Sequence, residues 1–254
     1  MLIDTNVHLG SWPFTPIPDR TGPELVAHLA ASGIRRALVS HLGAVFQPEP
    51  MPANRRLFAA VRRTPGLLPV PVINLALANW REQLEECRAT AEIRAVKILP
   101  NFHNYRLGSP RLADFMAALA DTRLKLMLNL RLEDERHKYF ALKMKGVSLP
   151  DIIAFLQRFP THHVLLTGAY WTQEVRPLIA NHADLNFSVE IAFCETFKTL
   201  ETMLGKMPAR RLILGTNTPL LSTRGQVDKL RCAMIPAKAK ALIGSDNARR
   251  FFDL

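Results

Sequence analysis

Asn6 and His8 stand two residues apart at the end of the apolar run that begins at Leu2. In a strand, side chains two apart face the same way, so this pair can converge on one metal from one face. Other short apolar runs end on polar residues as well: His41, Asn74, Lys97, Asn129 and Arg131, Thr167, Glu190, and Asn217. If the runs are parallel strands, those ends meet at one mouth, where chemistry gathers. A polar strand end is in part simply a loop boundary, so the clustering needs a fold to give it weight.

A second candidate is the run Arg131-Leu132-Glu133-Asp134-Glu135-Arg136-His137. Arg131 and Arg136 suit a bidentate grip on a carboxylate or phosphate, with Glu133, Glu135 and His137 as acid or base candidates. The bland reading is a solvated run that pairs with itself. Lys97 also has two readings, an anion-binding ammonium with a lowered pKa or a structural ion pair with Glu190 or another acid. His8 reads as an orphan metal ligand, a metal-free base or a hydrogen-bonded histidine of the mouth. His41 and His103 read as loop or core histidines.

Positioning these groups falls to short apolar runs that alternate with longer amphipathic segments, the pattern of repeated strand-helix units and a parallel sheet. Eight strands are expected at 2–7, 37–41, 67–75, 95–99, 124–130, 163–168, 186–190 and 211–215. Pro69 and Pro71 sit awkwardly in the third, because proline donates nothing to a ladder.

Between the strands, Thr21-Gly22-Pro23-Glu24 is a capping box ahead of Leu25, Val26, Leu29 and Ala30, and Gly33 closes that helix. Ser109-Pro110 opens another helix, with Leu112, Phe115, Met116 and Leu119 at helical spacing. Ser148-Leu149-Pro150-Asp151 opens a third, with Ile152, Phe155, Leu156 and Phe159 as its stripe. Further helices are expected near 54–63, 79–92, 172–182 and 195–204, and in the tail 236–254. With no linker or composition shift, 1–254 reads as one α/β domain, a closed (β/α)8 TIM barrel, whose usual length is about 250 residues.

The composition permits a large core, with 48% hydrophobic and 22% charged residues. A net charge of +11 favours anionic ligands. The basic residues are spread as pairs such as Arg35-Arg36 and Arg210-Arg211, which speaks against a nucleic-acid surface. Cys87, Cys194 and Cys232 are far apart and odd in number, so neither a disulfide framework nor a thiolate zinc site is expected. With no signal-like start and no membrane-length apolar run, the expected location is cytoplasmic, with no membrane partner.

The opening Ile3-Asp4-Thr5-Asn6-Val7-His8 resembles the Ile-Asp-x-His-x-His start of the amidohydrolase superfamily, in the branch of aminocarboxymuconate-semialdehyde decarboxylase. Ala95-Val96-Lys97-Ile98-Leu99-Pro100 is similar to that family's fourth-strand segment. Gly215-Thr216-Asn217-Thr218-Pro219 resembles its Gly-Thr-Asp-x-Pro eighth-strand exit, and Asn247-Ala248-Arg249-Arg250-Phe251-Phe252 its closing segment.

The resemblance implies a metal-dependent hydrolase or decarboxylase, with a homodimer as a reasonable expectation. The family's ligand positions fall on Asn6, His8, Asn129, Thr167 and Asn217, so four of the five expected ligands are replaced by neutral oxygen-bearing residues. Neutral amides are poor substitutes for imidazole and carboxylate, so no zinc or other transition metal is expected as a cofactor. A weakly held magnesium or calcium on amide and hydroxyl oxygens is a further possibility.

The expected function is therefore a hydrolase-like or lyase-like enzyme acting on a small anionic, carboxylated molecule at a metal-free mouth. His8, Glu133, Glu190 and Arg131 are its catalytic candidates, and Asn6, Lys97, Asn129, Arg136, Thr167 and Asn217 its substrate contacts. The rival is a non-catalytic binding or regulatory barrel. A histidine-acid hydrogen bond beside the arginines would favour the enzyme, and a pocket filled by its own side chains the rival.

Overall fold

The structure, a computed structural model, describes residues 1–135 and 144–254. Among the described residues eight parallel strands follow one another: β1 (Leu2–Leu9), β2 (Ile34–His41), β3 (Leu67–Pro69), β4 (Ala95–Ile98), β5 (Lys125–Asn129), β6 (Val164–Thr167), β7 (Phe187–Glu190) and β8 (Leu212–Ile213). Pairing runs β1-β2-β3 and β4 through β8. Backbone bonds join the two sets at both seams. Lys97 N donates to Pro71 O at 2.9 Å and Ile73 N to Lys97 O at 3.0 Å, while Thr5 N donates to Leu214 O at 3.0 Å and His8 N to Thr218 O at 2.8 Å. The sheet is thus closed into a barrel, and its C-terminal strand ends share one mouth.

Around it lie α1 (Gly22–Ala31), α2 (Gly43–Phe46), α3 (Met51–Arg62), α4 (Trp80–Ala89), α5 (Pro110–Ala120), α6 (Leu149–Arg158), α7 (Arg176–Asn181), α8 (Thr199–Leu204), α9 (Thr223–Cys232), α10 (Ala237–Ala241) and α11 (Asn247–Phe252). The expected caps form. Glu24 Oε2 accepts from Thr21 N at 2.8 Å, Ser109 Oγ from Leu112 N and Ser148 Oγ from Asp151 N, each satisfying first-turn donors that a helix leaves open.

Strand alternation sorts the side chains into two sets. Val96, Ile98, Leu126, Leu128, Val164, Leu166, Val189 and Leu212 face the helices in one core with Phe115, Phe155 and Leu178. The opposite set, Ile3, Leu38, Val70, Ala95, Met127, Leu165 and Ile213, meets inside the barrel with Phe251 and Phe252 of α11 below it. In β1 the register against β2 slips between Asp4 and Val7, where three steps on β1 match two on β2. This irregularity changes which alternate residues face inward, so Asn6 and His8 follow Ile3 into the interior.

Several boundaries differ from the sequence expectation. The ladder of the third strand stops at Pro69 rather than running to 75, because Pro69 and Pro71 have no N–H, and Val70 N is the donor left between them. The helix expected over 195–204 starts at Thr199. Thr196 N and Oγ1 bond to Thr199 Oγ1 at 2.6 and 2.7 Å and hold the preceding residues outside it. The helix over 172–182 begins as a π turn, Trp171–Val175, and the tail is helical from Ala237 to Phe252 with a π turn at Leu242–Asp246. No described helix is long and apolar enough to cross a membrane.

Candidate active site

Above the apolar layer the inward residues turn polar, and every one is buried: Asn6, His8, Lys97, Asn129, Thr167, Glu190 and Asn217. The carboxamide of Asn6 is the hub. Its Oδ1 accepts from Lys97 Nζ at 2.9 Å, while its Nδ2 donates to Glu190 Oε2 at 3.1 Å and to Asn217 Oδ1 at 3.3 Å. Lys97 and Glu190 are therefore linked through an amide.

Asn217 extends the chain to His8. Its Nδ2 donates to Leu132 O at 2.8 Å, which leaves Oδ1 facing His8 Nε2 at 3.1 Å. An acceptor there places the imidazole proton on Nε2 and the basic lone pair on Nδ1. Glu190 Oε1 accepts from Ala192 N, and Asn129 Nδ2 donates to Thr167 Oγ1 at 3.1 Å. Among the described residues Asn129 Oδ1, which is buried, finds no hydrogen-bond donor.

Burial dominates the electrostatics. It pushes the Lys97 ammonium down to about 7, opposed by the nearby charges of Glu190 and Asp4. Glu190 is raised above the usual carboxylate range by burial, and His8 is driven well below its ordinary value by burial and then by Lys97. His8 is accordingly a neutral base at pH 7.

Behind this layer stands Asp4, which the sequence reading did not single out. Its Oδ1 accepts from Asn6 N at 3.1 Å and Thr216 N at 3.0 Å, and its Oδ2 from Thr216 Oγ1 at 2.6 Å. Burial pushes its carboxyl up to about 7, despite those three bonds. An acid in a strand that is otherwise apolar up to Val7, apart from Thr5 and Asn6, was the available signal.

The run after β5 behaves differently from the expected anion grip. Arg131 is buried, and its Nη1 and Nη2 reach Glu174 Oε2 and Oε1 at 3.0 and 2.7 Å, with a further bond from Nη1 to Gly168 O at 2.6 Å. Nε donates to Glu135 Oε1 at 3.1 Å, and the guanidinium carbon lies 4.0 Å from the Tyr170 ring centre. This is a structural tie between the β5 and β6 exits, which occupies the fork that a substrate carboxylate would need. Glu133 is half-buried. Arg136 and His137 lie outside the described residues. Over the same exits opens a cleft of about 350 Å³, lined by Glu135, Tyr170, Trp171, Thr172, Phe193 and Glu195 among others.

A transition metal needs imidazole, thiolate or carboxylate donors that converge. Among the described residues no group of three or more His, Cys, Asp or Glu does so. At the corresponding mouth positions the amides bond to one another, and the Lys97 ammonium is bound to Asn6 Oδ1. This donor set does not fit the family's metal.

A closed parallel barrel with a polar layer at its C-terminal mouth defines a (β/α)8 barrel protein. The chain belongs to the Amidohydrolase family, whose model matches residues 3–254. No curated protein matches its sequence. Among solved structures it is similar to 2,6-dihydroxybenzoate decarboxylase from Rhizobium, with a TM-score of 0.75, 13% identity and coverage of 99% of this chain and 98% of the other. Similar too is 5-carboxyvanillate decarboxylase from Sphingomonas paucimobilis, with a TM-score of 0.74, 15% identity, and 100% and 99% covered. A probable 2-pyrone-4,6-dicarboxylic acid hydrolase from Acinetobacter baumannii gives 0.70 and 12% identity, again over 100% and 99%. At such identities the likeness is one of fold.

Proposed function

We propose that this protein is an enzyme that decarboxylates a small carboxylated aromatic molecule at the barrel mouth, without the family's metal. The reading rests above all on the buried layer that joins Lys97, Asn6, Glu190, Asn217 and His8 while leaving the Asn129 Oδ1 acceptor unpaired. A ligand hydroxyl would satisfy that acceptor, and Lys97 would face a carboxylate. Decarboxylases of 2,6-dihydroxybenzoate and 5-carboxyvanillate among the structures of similar fold support the substrate class.

Decarboxylation suits these groups better than hydrolysis does. Hydrolysis needs an activated water, and Asn217 has no carboxylate to take a proton from it. In decarboxylation the bond from ring carbon to carboxyl breaks, its electron pair stays on the ring, carbon dioxide leaves, and one proton is taken up at that carbon. His8 and Glu190 are the groups that would hold and pass the proton, and Asn6 keeps Glu190 and Lys97 in register.

A binding or regulatory barrel is the second reading. It is favoured by the lack, among the described residues, of a hydrogen bond directly from His8 to an acid, since His8 is linked to Glu190 through Asn217 and Asn6.

The test is carbon dioxide release from a panel of hydroxybenzoates by protein treated with a chelator and desalted. Turnover that survives chelation and falls about 10²–10⁴-fold in His8→Ala is expected. Turnover lost on chelation and restored by manganese sinks the metal-free part. If no substrate turns over while a carboxylated aromatic still binds by calorimetry and Lys97→Met abolishes binding, the second reading holds.

A further inference from the structure

The buried acid Asp4 does not end in the barrel interior. Thr216 Oγ1 lies 2.6 Å from Asp4 Oδ2 and 2.6 Å from Thr218 Oγ1. Thr218 Oγ1 lies 2.6 Å from Thr223 Oγ1, at the first turn of α9, and Thr223 Oγ1 lies 2.7 Å from His28 Nε2 on α1. Thr216 and Thr218 are fully buried, Thr223 nearly so, and His28 is half-exposed. His28 and Thr223 line a surface cleft of about 360 Å³. Every link is as short as a good hydroxyl hydrogen bond.

We propose that Thr216, Thr218, Thr223 and His28 form a proton relay between the buried carboxyl of Asp4, behind the charged layer, and the surface cleft. The chain works in either direction because each hydroxyl both donates and accepts. With Asp4 ionised, His28 donates through Nε2–H to Thr223, Thr223 to Thr218, Thr218 to Thr216 and Thr216 to Asp4 Oδ2. One concerted shift moves each proton to its acceptor. His28 imidazolium becomes neutral, Asp4 becomes a carboxylic acid, and all three hydroxyls point the other way. No bond other than O–H and N–H changes, and the charge transferred is one proton.

Asp4 faces Lys97 and Glu190 electrostatically, so its protonation alters the charge of the layer without opening the mouth. In a reaction that consumes one proton per turnover the relay would set that charge; it does not itself hand a proton to His8 or Glu190, to which Asp4 makes no hydrogen bond. Its use in turnover rests on the decarboxylase reading, whereas the relay itself does not.

The experiment uses the full chain without substrate. Time-resolved infrared spectroscopy after laser-induced proton release follows the carboxylic acid band of Asp4, identified by its loss in Asp4→Asn. Thr218→Val, which keeps shape and removes the hydroxyl, is expected to slow proton uptake about tenfold or more, and Thr218→Ser to restore it. His28→Gln, at the half-exposed end and remote from the core, should slow uptake similarly and serves if the valine variant does not fold. Uptake at the wild-type rate in Thr218→Val or His28→Gln overturns the relay, as does a wild-type protein with no Asp4 band that responds to proton release. Because no substrate is present, either failure is separate from a failure of the decarboxylase reading.

Discussion

Arg131 and Glu174, 43 residues apart in sequence, meet as a two-pronged buried ion pair whose side chains are 4% and 5% exposed. Through it the exit of β5 is tied to the π turn that follows β6. Removing one partner leaves the other charged and buried. Arg131→Ala should therefore lose about 3–5 kcal/mol in urea unfolding. Arg131→Lys should recover only part of this, because an ammonium cannot fork. A loss below about 1 kcal/mol in the alanine variant would show that the pair contributes little.

Asp4 predicts a pH dependence of stability. Its folded value of about 7 lies above the ordinary 3.8, so the folded state holds this proton more tightly than the unfolded chain. The stability it contributes is full below about pH 4 and is lost as pH rises towards 7, about 4 kcal/mol across the window. Lys97, lowered to about 7, acts with the opposite sign: stability present above its ordinary 10.5 is lost as pH falls through 7. Unfolding free energies of Asp4→Asn between pH 4 and 7 should fall less steeply with pH than those of the wild type. Parallel slopes would show that Asp4 ionises as readily inside the barrel as outside.

The metal prediction is tested by rebuilding donors. Asn6→His, Thr167→His and Asn217→Asp together place three new ligands beside His8, the kind of set that holds zinc. Elemental analysis should find zinc near one per chain in the triple variant and far below that in the wild type. Stoichiometric zinc, iron or manganese in the wild type would refute the metal-free reading.

Gly168 permits the close approach of the β6 exit to Arg131. Its φ is +71°, and a Cβ there would collide with the Arg131 carbonyl oxygen. Gly168→Ala should cost at least about 1–3 kcal/mol, seen as a lower melting temperature. An unchanged melting temperature would mean that the two exits can separate freely.

Much of the frame was legible because a barrel strand alternates its faces: Lys97, Asn129, Thr167, Glu190 and Asn217 could be picked as strand-end residues, and they share the interior. The slip in β1 leaves no mark in residue types, although the two-residue spacing of Asn6 and His8 survives it. Partners were the illegible part. Nothing near Arg131 in sequence points to Glu174, and the hydroxyls of Thr216, Thr218 and Thr223 read as family segment and loop until the chain folds. Helix α9 escaped notice because Thr223–Cys232 carries few apolar residues beyond Val227 and Leu230, with Gly225 inside it.

The floor of the barrel is made by Phe251 and Phe252, packed beneath a ring of side chains drawn from six strands and from Val70 just past β3. During synthesis, those strands emerge long before the residues that cap them. The ring must wait with its lower face wet, and any early closure is provisional until α11 arrives. Folding should thus behave as one late, non-local event rather than as a growing series of strand-helix units.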